Sequence, residues 1–161
     1  MTMPSTTVHA PVVTLGPCGS GFLSVDPAPE DALAHLDSHS SAAPETAVPD
    51  YDDLTFFDGR ARLLRLDTST NPPHLTVADE GDHSGELRAR VDEAFAHARE
   101  RAYRDPNLLE NTAIRDPAKI QPPSKEDLED YLGALRYMMS FEISPQQHAG
   151  SWLHNLFHRI G

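Results

Sequence analysis

The chain has 161 residues, with 25 Asp and Glu against 13 Lys and Arg, and a formal charge of −12 at neutral pH. That length fits one domain of ordinary size with a real core, and that charge disfavours a phosphate backbone or an anionic membrane as partner. Cys18 is the only cysteine, which excludes an intramolecular disulfide and any cysteine-rich metal site.

The charge is unevenly spread. No Lys or Arg precedes Arg60, while the first 59 residues hold nine acids: Asp26, Glu30, Asp31, Asp37, Glu45, Asp50, Asp52, Asp53 and Asp58. Residues 1–50 read as an extended, weakly structured acidic N-terminal segment, and residues 51–161 as an α+β domain. The first residues lack a basic stretch and a long apolar run, against a secretory signal. No apolar run approaches about 18 residues, so no membrane-spanning helix is expected. The default expectation is a soluble, cytoplasmic protein.

In chain order, Val12, Val13 and Leu15 predict a short strand and Phe22–Val25 another, with the glycine-rich stretch Gly16–Gly21 between them. Such a stretch cradles phosphate when it follows a strand and opens a helix. Here an apolar strand follows, no Lys-Ser/Thr pair closes the loop, and no positive charge is near. A hairpin turn is the better account. A nucleophilic Cys18 would need a base and an electropositive surround, which the flanking residues do not supply. Asp31-Ala-Leu-Ala-His-Leu predicts one or two helical turns with Leu33 and Leu36 inward. Ser38–Asp50, rich in Ser, Ala and Pro, reads as a linker or a wrapping segment.

Leu54–Phe57, Asp58-Gly59 and Ala61–Leu66 give the strongest hairpin signal. Arg60, Arg62 and Arg65 are expected to point outward, and the alternation slips near Leu63-Leu64. His74–Ala78 adds a third strand and completes a meander. Asp79, Glu80 and Asp82 could ligate a hard cation, but the order of an EF-hand loop and its closing Glu are missing. They read as an acidic loop before a helix. Gly85–Tyr103 predicts that helix, with Leu87, Val91, Ala94, Phe95, Ala98 and Ala102 as a narrow apolar face, stopped by Asp105-Pro106. Asn107–Pro123 is a long connection tethered by Leu108, Leu109, Ile114 and Ile120. Long connections are often functional, so this one is a candidate contact site.

Ser124–Ile160 carries two amphipathic runs. The first is capped by Ser124 and buries Leu128, Tyr131, Leu132, Leu135, Met138 and Met139. The second starts at Ser144-Pro145, with Trp152, Leu153, Leu156, Phe157 and Ile160 within about 140° of arc. The expected fold is α+β: a small, mostly antiparallel sheet packed with three main helices near 86–103, 125–141 and 145–159, and an extended N-terminal arm.

Nine histidines invite a metal argument. His154 and His158, like His35 and His39, lie four apart, a chelating spacing. No third ligand or zincin glutamate accompanies either pair, so neither a metal nor another cofactor is expected. Tyr137–Phe157 resembles a helix-turn-helix of the winged bacterial-regulator kind. That likeness implies a turn at Ile143-Ser144 and a recognition helix at Gln146–Phe157, with Gln146, Gln147, Ser151 and Asn155 reading base edges. Glu142 stands at the usual turn glycine, and only Arg159 adds positive charge.

No catalytic signature emerges. The sequence favours an acidic, non-catalytic accessory protein that binds another protein, as subunit, adaptor or inhibitor of a larger assembly, with a homo-oligomer possible. Trp152, Phe157 and Ile160 are the expected apolar anchors, and Asp50, Asp52 and Asp53 the expected contacts to a basic surface. The alternatives are a DNA-binding regulator and a small metal- or Cys-dependent enzyme.

Overall fold

The computed structural model describes residues 7–17, 22–40, 53–109 and 116–139. Among them the fold is α+β, as expected. Strands β1 (Val12–Leu15), β2 (Leu23–Asp26), β3 (Thr55–Phe57), β4 (Leu63–Asp67) and β5 (His74–Asp79) form one antiparallel sheet in the order β2-β1-β3-β4-β5. The β3-β4-β5 meander is present. The sheet is nonetheless wider than a meander, because the β1-β2 hairpin joins it through Val13↔Phe57 and Leu15↔Thr55. Part of the segment read as a weakly structured arm is thus paired into the same sheet as residues 55–79. The glycine-rich stretch opens as a hairpin turn should, with the Gly16 N–H donating to the Phe22 carbonyl at 3.0 Å.

Helix α1 (Pro29–Ser40) runs longer than the one or two turns expected, and α2 (Ser84–Arg104) and α3 (Leu128–Met139) complete the set. The alternation of each strand divides the core in two. On one face Val13, Leu15, Leu23, Val25 and Phe57 pack against Leu87, Val91, Ala94, Phe95, Ala98 and Ala102 of α2 and Tyr131, Leu132 and Leu135 of α3. On the other face Val12, Phe22, Phe56, Leu64 and Leu75 pack under Ala32 and Leu33 of α1. The buried face of α2 is the stripe read from the sequence. Its alanines carry no bulk beyond a methyl, which lets the helix axis lie close to the sheet. The slip near Leu63-Leu64 is a β-bulge: Leu63 faces Asp79 while Leu64 faces Val77.

Two boundaries differ from expectation, each for a local reason. The Asp58-Gly59 turn is longer than a two-residue hairpin, and β4 starts at Leu63, because the chain wraps the Asp58 carboxylate before it can pair. Helix α3 starts at Leu128, not after Ser124. Asp127 is its cap, accepting from the Asp130 N–H at 3.1 Å, and its carbonyl accepts the first helical bond, from the Tyr131 N–H at 2.8 Å. The expected helix near 145–159 lies outside the described residues. No described helix is long and apolar enough to cross a membrane.

Candidate functional site

Among the described residues the most highly bonded carboxylate is that of Asp58, which is wholly buried. Oδ1 accepts from the N–H groups of Arg60 and Arg62, both at 3.0 Å. Oδ2 accepts from the His9 N–H at 3.1 Å and from Arg62 Nε and Nη2 at 3.0 and 2.7 Å. Burial pushes the Asp58 carboxyl up, but the Arg62 guanidinium and then the N–H groups of Arg62, His9 and Arg60 outweigh it and hold its pKa below the usual aspartate value. Arg62 is therefore an inward residue, 6% exposed, not an outward one. A period-two alternation misplaces it because it lies in the turn and not in a strand.

This turn holds three segments together. Arg62 Nη2 donates to the Thr7 carbonyl at 2.8 Å, and the Gly59 N–H donates to the His9 carbonyl at 2.7 Å. The His83 N–H at the head of α2 donates to the Ala61 carbonyl at 3.0 Å. Gly59 is required by close approach: a Cβ there would sit 2.1 Å from the Ala10 carbonyl oxygen. Ala61 takes φ 57°, a left-handed conformation that costs a non-glycine residue roughly 1–2 kcal/mol. Such a constellation is structural, since every donor and acceptor serves the protein's own frame.

Helix α2 uses its arginines in the same way. Arg90 donates to Thr55 Oγ1 at 3.2 Å and to the Gly16 carbonyl at 2.6 Å. Arg99 donates to the Ile120 carbonyl at 2.8 Å and reaches Gln121 Oε1 at 3.5 Å. Arg88 donates to the carbonyls of Lys125 and Glu126 at 2.8 and 2.7 Å, and its guanidinium lies 4.2 Å from the centroid of the Tyr131 ring. All three are half-buried and directed at neutral acceptors.

The carboxylates are placed differently. Asp79, Glu80, Asp82 and Glu86 lead into α2, and Glu126, Asp127, Glu129 and Asp130 lead into α3; all eight are exposed. Arg88 ties the head of α3 to the first turns of α2, so the two groups share one end of the molecule. His83 stands within the first group, 3.1 Å from Asp79 and 3.5 Å from Glu86. The Gly81 N–H and then the His83 ring hold the Asp79 carboxyl below its usual value, and the Ser84 N–H does so for Asp82. Helix dipoles favour acids at both positions. That accounts for their presence at the helix starts, yet not for eight carboxylates facing solvent with only Lys125 exposed beside them and Arg62 3.9 Å from Glu80. The result is an acidic rim suited to contact with a basic surface.

Other features give less. Thr14, Ser24 and Asp26 form a buried polar group on the α1 face, with Ser24 Oγ donating to Asp26 at 2.8 Å. A cavity lined by Leu15, Gly16, Phe22, Arg90 and Ala94 holds about 10 Å³, room for about one water. Among the described residues no group of three or more His, Cys, Asp and Glu could hold a metal ion.

Of the contact residues expected from the sequence, Asp53 is described and exposed, just ahead of β3 and at the opposite end of that strand from the Asp58 turn. Asp50, Asp52, Trp152, Phe157 and Ile160 lie outside the described residues, as do Cys18, His154 and His158. The sequence reading missed the rim as a surface, although each of its acids was visible, because it assigned them separately to a loop and a helix start. Comparison of the chain with protein-family models, with curated proteins and with solved structures returns no match.

Proposed function

We propose that this chain is an acidic, non-catalytic accessory protein that works by binding a partner protein with a basic surface. The carrying observation is the unequal fate of the two charges. Arg62, Arg88, Arg90 and Arg99 are turned onto the protein's own frame, whereas the eight acids at the heads of α2 and α3 face outward, with Lys125 the one exposed Lys or Arg among residues 79–86 and 124–130. Arg60, Arg65, Arg104 and Lys119 are among those exposed elsewhere. A partner approaching that end meets carboxylates first, and complementary potential is what steers such encounters. The nine acids and absent Lys and Arg of the first 59 residues support the same reading.

The test is affinity capture on the immobilised full chain from the native cell extract, at low and then high salt. One stoichiometric protein is expected, released by salt and captured poorly by a Glu126→Gln, Glu129→Gln, Asp130→Asn variant. A purified chain that stays without a partner while turning over a substrate would refute the proposal. So would sequence-specific retention on DNA, which would favour a regulator.

A further inference from the structure

Residues Gln121–Lys125, which take in the end of the Asn107–Pro123 connection singled out in the sequence and the Ser124-Lys125 read there as a helix start, have an unusual arrangement. They carry no helical or strand hydrogen bonding; Gln121, Ser124 and Lys125 are exposed and Pro122 and Pro123 half-buried. Each proline fixes its own φ near about −65° and pushes the residue before it out of the helical region. Gln121 and Pro122 are therefore held to extended, polyproline-type backbone by sterics alone, and Pro123 has its φ fixed at a polyproline-compatible value.

The ends of the segment are held. Arg99 binds the carbonyl of Ile120 and Arg88 that of Lys125, both at 2.8 Å. These arginines lie 11 residues apart on one stripe of α2, about 16.5 Å at 1.5 Å per residue. Five residues of polyproline helix at about 3.1 Å each span about 15.5 Å. The two lengths agree, as they would for an extended segment fastened to α2 at both ends. Between the clamps, the carbonyls of Gln121, Pro122, Pro123 and Ser124 accept no hydrogen bond from the described residues. A stretched Pro-Pro strip, half-exposed between exposed Gln121 and Ser124, with open carbonyls and little entropy left to lose, is what aromatic-lined grooves recognise.

We propose that Gln121–Lys125 is a preformed polyproline-type ligand strip for an aromatic-lined groove on the partner protein. This rests on the protein-binding reading above and adds the surface that provides shape specificity. The flank defines the groove further. Glu126, Asp127, Glu129 and Asp130 follow the strip directly and are exposed, so the rim of the groove on that side is basic.

The experiment places a photo-crosslinking benzoylphenylalanine at Ser124, and separately at Asp53 and Asp67, in the full chain expressed in the native cell. An adduct from Ser124 that maps to an aromatic-lined groove is expected. The captured partner should then bind the Pro122→Ala, Pro123→Ala variant at least ~10-fold more weakly, with the variant still folded by circular dichroism. Should the variant be destabilised, a peptide of residues 116–127 must displace the wild-type chain better than its Pro→Ala counterpart. Adducts from Asp53 or Asp67 with none from Ser124 overturn the strip and leave the binding function standing. A Ser124 adduct indifferent to both the prolines and the peptide also overturns it. No adduct from any position overturns both proposals.

Discussion

Replacing Arg62 by Ala should be among the most damaging single changes available in the described residues. It removes two bonds to the buried Asp58 carboxylate, at 3.0 and 2.7 Å, and one to the Thr7 carbonyl at 2.8 Å. The charge left behind keeps three backbone donors, from His9, Arg60 and Arg62. Breaking a buried pair by deleting one partner costs about 3–5 kcal/mol, and the surviving donors place this case near the lower end, about 3 kcal/mol. With a urea slope of about 2 kcal/mol per molar, the midpoint should fall by about 1.5 M, read by far-ultraviolet circular dichroism. An Asp58→Asn, Arg62→Met double variant should recover part of the loss, since no uncompensated charge remains. The pH dependence has a definite sign. Asp58 titrates below its usual value when folded, so the unfolded chain binds that proton first. The stabilisation is full above the unfolded value of about 3.9 and is lost as pH falls through the folded one. Stability of the wild type should therefore decline more steeply below about pH 4 than that of Asp58→Asn. A loss under about 0.5 kcal/mol for Arg62→Ala, or parallel acid profiles, would refute the assignment.

Gly59→Ala should destabilise by about 1–3 kcal/mol, because its Cβ would lie 2.1 Å from the Ala10 carbonyl oxygen and must displace residues 7–11; faster proteolysis of the N-terminal residues would accompany the lower urea midpoint. Phe95→Ala, at a site with no exposure in the α2–sheet core, should cost about 3–5 kcal/mol, and a loss below about 1 would mean the core repacks. Tyr131→Phe should be neutral or slightly stabilising in the same assay, since the buried hydroxyl has no partner among the described residues. In alkaline spectrophotometric titration one tyrosine should ionise late. Burial, then the negative charge of Asp92, pushes Tyr131 up to about 12 despite Arg88, so this contribution to stability should fall as pH rises from about 10, the unfolded value, to about 12.

What the sequence made legible was periodic and local. The α2 stripe is a 3.6-residue pattern over 21 residues, and every apolar position assigned to it is buried. The β3-β4-β5 strands alternate clearly enough to predict both the meander and the bulge at Leu63/Leu64. What it hid was non-local. Nothing near Val13 says that it will pair with Phe57, 44 positions on. Nothing near Ser124 says that Arg88 will take the carbonyls of Lys125 and Glu126, 37 and 38 positions away, and so withhold them from a helix starting at Ser124. Arg62 looked like a surface residue because its partner lies four positions back across a turn, where neither period applies. The candidate site follows the same division: its acids were readable as residues, and their convergence depended on where Arg88 fastens α3.

The rim and the strip divide the work of binding in a way that kinetics can separate. The distant field reflects the formal −12. At contact range Arg88, Arg90 and Arg99 are half-buried against neutral acceptors while Glu126, Asp127, Glu129 and Asp130 face solvent. Exposed charges act over about a Debye length, ~8 Å in physiological salt, and mainly accelerate encounter. A strip already stretched between Arg88 and Arg99 needs little ordering on binding, and packed contacts of that kind set how long the complex lasts. Neutralising the rim should therefore lower the association rate and flatten its salt dependence, with little change in dissociation. Substituting Pro122 and Pro123 should raise the dissociation rate and leave the salt slope alone. Surface plasmon resonance at several salt concentrations reads both constants. If the two classes of variant changed the same constant in the same way, rim and strip would not be separate determinants, and the strip would act only as the spacer that positions the acids.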